Sequence, residues 1–67
     1  MFRIASSQFG YMMFAAPSVN PAWSDRIDEA EVYGPQDDRA TKLAYWRGYA
    51  SGVCGLDPNS VQIVEAA

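Results

Sequence analysis

The chain has 67 residues, 49% of them hydrophobic, and a formal net charge of −3. A chain this short buries only about 60% of the surface its unfolded state exposes, so there is room for one core and no second domain. Two Trp, four Tyr and three Phe exclude intrinsic disorder, and one Cys with no His excludes an internal disulfide framework or a Cys/His metal staple.

Taken in chain order, Phe2, Arg3, Ile4 and Ala5 alternate apolar with polar or small residues and predict a first strand with Phe2 and Ile4 facing the core. Tyr11 to Ala15 is a second extended run. Ser6-Ser7-Gln8-Phe9-Gly10 between them has the polar residues and glycine of a hairpin loop. Pro17-Ser18-Val19-Asn20-Pro21 is a loop, because two prolines remove donors a central strand needs. Trp23 is expected to fold back on the core as a loop anchor. Ile27 to Tyr33 is a third extended segment, turning Ala30 and Val32 inward and Glu29 and Glu31 outward.

Gly34 and Pro35 open a helix expected from Pro35 to Ser51 and ending near Gly52, with Asp37 and Asp38 in a first turn whose dipole favours acids. At 100° per residue Leu43, Trp46, Ala50 and Val53 form one apolar stripe. Asp57-Pro58-Asn59 is a turn, and Val61 to Val64 a last strand with Val61 and Ile63 inward. The order β-β-β-α-β predicts a single α+β domain spanning 1–67: a small antiparallel sheet of three to four strands with one helix packed across one face.

Export and membrane insertion are not expected. Ser6, Ser7, Gln8 and Gly10 interrupt the apolar segment that follows Arg3, and no run approaches the roughly 20 apolar residues of a spanning helix. The expected compartment is therefore the cytoplasm, that of a host cell if the chain is phage-encoded. Catalysis is poorly served: with no His and no phosphate-binding glycine loop, the Ser and Cys side chains lack an activating base. No enzyme activity, cofactor or metal is expected, and Cys54 reads as a small, partly buried filler.

Six of the eight acidic residues, Asp25, Asp28, Glu29, Glu31, Asp37 and Asp38, lie between positions 25 and 38, with Arg26 the one cation among them. Two readings stand side by side. The acids solvate a strand edge and a helix N-terminus, or their potential steers the domain onto a basic partner, imitating nucleic-acid phosphates. The acidic balance argues against direct binding of nucleic acid or of anionic membranes. On the helix, Ala44, Gly48 and Gly52 form a ridge poor in side chains, flanked by Tyr45 and Tyr49. That ridge either packs closely on a strand or admits a partner backbone, with Tyr45, Tyr49 and Arg47 as anchors. Arg39, Lys42 and Arg47 otherwise solvate the helix, Lys42 pairing with Asp38. Of Met12 and Met13, one belongs to the core and the other covers the opposite face.

The series Trp23-Ser24-Asp25, Asp28, Ala30, Tyr33, Asp38, Ala40 and Val61-Gln62-Ile63-Val64 resembles the layout of small phage-encoded inhibitors of the anti-CRISPR type. That resemblance implies a stoichiometric, non-enzymatic inhibitor that binds a CRISPR effector subunit and blocks DNA binding or cleavage. No functional residue carries over, because such proteins share no common motif. Tyr45-Trp46-Arg47-Gly48-Tyr49-Ala50-Ser51-Gly52 is similar to the Arg-Gly-Tyr helix of ribosome modulation factor, which implies a ribosome-associated alternative. Those factors are strongly basic, unlike this chain, and the segment that follows their helix is replaced here by Asp57-Pro58-Asn59. The remaining alternative is a self-assembling structural domain, a homodimer through the helix ridge and a sheet edge.

Overall fold

Four antiparallel strands form one sheet in the order β3-β2-β1-β4, in a computed structural model that describes residues 1–8, 13–16 and 22–66. Strands β1 (Phe2–Ser6) and β4 (Val61–Glu65) pair along their whole length, from Phe2 opposite Glu65 to Ser6 opposite Val61. Partners across a ladder share a face, so Phe2, Ile4, Val61 and Ile63 make one apolar patch. Phe2, Ile4 and Val61 are fully buried in it, and Ile63 packs against its rim.

Strand β2 (Met13–Ala16) joins β1 at Ala5 opposite Phe14 and Ser6 opposite Met13, giving the anticipated hairpin. Tyr11 and Met12, with the Pro17–Pro21 loop, lie outside the described residues. Met13 is half-buried. Ser6, expected in the hairpin loop, instead ends β1 in the interior, where its Oγ lies 2.7 Å from that of Ser60.

The third strand is not the expected one. It is β3, Ala22–Ser24, paired with β2, so Trp23 is a strand residue and not a loop anchor. Its ring nonetheless meets the core, edge-on to Trp46 at 5.2 Å. Ile27–Glu29 is a 3-10 turn. Side chains divert it from the sheet: Ser24 Oγ accepts from the Arg26 N–H at 3.1 Å and donates to Glu29 Oε1 at 2.5 Å, local bonds that compete with a ladder. Extended backbone resumes at Ala30 (φ −76°, ψ 144°) and leads into Glu31 to Tyr33. There Glu31 N–H donates to Ala15 O at 2.9 Å, and Tyr33 exchanges hydrogen bonds with Phe2 at 2.8 and 3.0 Å. This segment is a wedge between the diverging ends of β1 and β2.

Helix α1 (Arg39–Tyr49) starts at Arg39 rather than Pro35, because Asp38 is extended (φ −76°, ψ 117°) and its carboxylate accepts from Thr41 N–H at 3.0 Å. Asp38 is thus the N-cap. The expected first turn is a separate loop closed by Asp37, whose carboxylate accepts from Gly34 N–H at 2.9 Å. Beyond Tyr49 the chain widens into a π turn, Ala50–Cys54, stopped by Gly55 at φ 69°. The wider turn rotates later residues off the α-helical stripe. Leu43, Trp46 and Ala50 stay on the core side, but Val53 is 71% exposed and Leu56 takes its place inside. Cys54 is exposed for the same reason, not the partly buried filler anticipated.

Asp57 caps the 3-10 turn Pro58–Ser60 by accepting from Asn59 N–H at 2.9 Å, the turn expected there, and delivers the chain to β4. The core between sheet and helix gathers Phe2, Ile4, Ala15, Trp46, Ala50, Leu56 and Val61. No helix among the described residues is long and apolar enough to cross a membrane.

Candidate interaction surfaces

The acidic residues fall on two elements and are used differently by the fold. Asp25, Asp28 and Glu29 are exposed on and beside the 3-10 turn Ile27–Glu29. Asp28 holds Arg26 by two hydrogen bonds of 3.0 and 3.3 Å, and this contact raises the Arg26 pKa above its ordinary value, helped by Glu29 and Asp25. The pair is open to solvent, so it constrains Arg26 without neutralising the field of the segment. Glu31 belongs to the wedge and is half-buried.

Asp37 and Asp38 line a shallow cleft of about 550 Å³ with Met1, Gly34, Gln36 and Arg39. Both carboxylates work within the backbone. Asp38 is held below the usual carboxylate range by the Thr41 hydroxyl, at 2.5 Å, and by the Thr41 N–H. Because that carboxylate is committed to the cap, Lys42 does not pair with it as expected. Lys42 lies instead 4.0 Å from Asp37 Oδ1 and 5.0 Å above the Tyr33 ring.

The helix cations are structural rather than merely solvating. Arg39 forks onto Glu65 at the end of β4, a contact that raises the Arg39 pKa and lowers that of Glu65, and its guanidinium lies 4.9 Å over the Phe2 ring. Arg47 donates through Nε to the Val61 carbonyl at 3.1 Å, tying α1 to β4, so it is not an anchor on the outer face.

On that outer face Ala44, Gly48 and Gly52 are exposed. A Cβ built at Gly48 or Gly52 would meet nothing within 4 Å, so the close packing expected of the ridge is absent. Tyr45 is 53% exposed, whereas Tyr49 is half-buried with its ring edge-on to Trp46 at 5.4 Å. Burial raises the Tyr49 pKa, with Cys54 adding to the shift. The two tyrosines therefore differ: Tyr45 faces outward and Tyr49 belongs to the edge of the core.

Sequence reasoning gave neither Arg3 nor Trp23 a binding role. Arg3 Nε and Trp23 Nε1 are buried without a hydrogen-bond partner. The alternation in β1, which directs Arg3 away from the Phe2 and Ile4 face, was the available signal for the first; nothing in the sequence marks the second. Among the described residues no three His, Cys, Asp or Glu side chains converge as metal ligands. Comparison with protein-family models, with curated proteins and with solved structures finds no match to this chain.

Proposed function

We propose that this chain is a non-enzymatic binding domain that docks on a basic surface of a partner protein or ribonucleoprotein through the acidic segment Asp25 to Asp38. The observation that carries the reading is the exposure of Asp25, Asp28 and Glu29 on one short turn whose single cation, Arg26, is already held by Asp28. Carboxylates in that position raise the association rate with a basic partner and lose effect with salt, since exposed charges are screened within about 10 Å at 0.1 M ionic strength. The finer form of the proposal is an inhibitor that occupies the DNA-binding surface of a CRISPR effector, as the resemblance to phage-encoded inhibitors implies. Tagged protein expressed in a bacterium with an active CRISPR system, then washed at low and at high salt, tests both forms. Retention of an effector subunit at low salt and its loss at high salt is the expected result. Undiminished retention at high salt refutes the acidic docking, and absence of any effector subunit refutes the finer form.

A second reading rests on the outer face of α1. Gly48 and Gly52 face open space beside the exposed Tyr45 and Val53, a surface on which a second copy could pack. Sedimentation at micromolar concentration distinguishes the two. A dimer that Gly48→Leu disrupts favours self-assembly, and a monomer favours the first reading.

A further inference from the structure

Each of the other four cations has a bonded partner or a nearby acid: Arg26 with Asp28, Arg39 with Glu65, Lys42 near Asp37, and Arg47 on the Val61 carbonyl. Arg3 has neither. It lies at the middle of the sheet in β1, opposite Val64 on β4, and the Phe2–Tyr33 bridge places Val32 alongside it. Alternation turns it to the face opposite Phe2 and Ile4. The described residues that share this face by register, among them Ala5, Phe14, Gln62 and Val64, include no acid.

The side chain is half-buried, and its Nε is closed off from solvent without an acceptor. Its two terminal nitrogens have no bonded acceptor among the described residues and are not fully buried, so they reach the surface. A solvated arginine would keep its whole head in water. This one sinks part of the guanidinium beside aliphatic neighbours and presents the terminal fork outward. Charge in a partly desolvated frame attracts an opposite charge more strongly than in water, and the planar fork matches a carboxylate.

We propose that Arg3 is an anion-binding anchor on the sheet face away from the helix, taking a carboxylate from an acidic side chain of a partner polypeptide. Its partner chemistry is the reverse of that of the exposed carboxylates Asp25, Asp28 and Glu29, none of which is bonded to Arg3.

The test uses the full chain, labelled with nitrogen-15 and titrated with N-acetyl-aspartyl amide, against sodium chloride at equal ionic strength. A saturable shift of the Arg3 Nε–H resonance and of the Arg3 and Val64 amides, absent with chloride, is the expected result. Arg3→Met, which keeps the aliphatic stem, should weaken that binding at least tenfold while leaving the thermal midpoint unchanged or higher. Equal shifts with chloride, or none at Arg3, would overturn the site. So would a folded Arg3→Met protein with a lowered midpoint, because Arg3 would then be part of the scaffold. None of these outcomes depends on whether a basic partner binds at Asp25, Asp28 and Glu29.

Discussion

Trp46 donates its indole N–H to the Tyr33 hydroxyl at 2.9 Å, and this one bond joins the core face of α1 to the wedge between β1 and β2. Tyr33 in turn exchanges backbone hydrogen bonds with Phe2 and lays its ring 5.2 Å from the Phe2 ring. Trp46 is buried and touches the rings of Trp23, Tyr45 and Tyr49 as well, so the indole is where strand, wedge and helix meet.

Tyr33→Phe keeps the ring packing and leaves the Trp46 N–H without an acceptor. A buried donor left unmade costs about 1–3 kcal/mol, and the domain is too small to absorb that unnoticed. Urea unfolding followed by tryptophan fluorescence should show a lower midpoint at an unchanged slope. An unchanged midpoint would mean that the bond contributes nothing.

Two Gly→Ala substitutions should have opposite signs. Gly48 lies in the interior of α1 with open space where a Cβ would go, so Ala removes backbone entropy from the unfolded chain and stabilises by about 0.5–1 kcal/mol. Gly55 sits at φ 69°, where a Cβ is strained, so Ala there destabilises by about 1–2 kcal/mol. Thermal unfolding of the two variants beside the parent chain checks both directions. A gain at Gly55 would contradict the left-handed stop that ends the π turn.

The same two glycines show how far the sequence was legible. Strands β1, β2 and β4, the Asp57 turn and the α+β class follow from alternation and turn chemistry, because those signals are local. The end of the helix does not, since a π turn uses the same residues as an α turn, and its one mark is Gly55, passed over in favour of Gly52. The third strand was misplaced because Ala22-Trp23-Ser24 is too short to show a period, while Ile27 to Tyr33 shows one that the Ser24 and Glu29 side chains override. Of the site residues, the acids and Tyr45 were visible as composition. Their division into capping, paired and outward groups is a tertiary fact, and so is the isolation of Arg3.

Acid should unfold the domain through carboxylates that the fold keeps ionised. Asp38 and Glu65 both have folded pKa values below their ordinary 3.8 and 4.5, through the Thr41 hydroxyl and the Arg39 guanidinium respectively. A group whose pKa is depressed on folding binds fewer protons when folded. The stability it contributes is complete above its unfolded pKa and is lost as pH falls through the folded one. The urea midpoint should therefore be level from neutrality down to about the ordinary value of Glu65 and decline below it. Asp38→Asn retains the cap without the titration, so its acid decline should be shallower. A decline identical to that of the parent chain would show that Asp38 plays no part in acid sensitivity.

The acids cannot all be tested for binding in the same way. Reversing Asp37 or Asp38 would remove the acceptors of Gly34 N–H and Thr41 N–H, so lost binding would report a damaged helix start rather than a lost surface. Asp25, Asp28 and Glu29 are exposed, and their contacts are local to the turn. The combined variant Asp25→Asn, Asp28→Asn, Glu29→Gln removes three negative charges while keeping side-chain shape. Its circular dichroism and thermal midpoint should stay close to those of the parent chain. Its association rate with a captured basic partner should fall severalfold at low salt and converge with the parent rate at high salt, because only the steering term has been removed. An association rate that does not change at low salt would place the contact elsewhere, and the outer face of α1 around Tyr45 would be the next surface to alter.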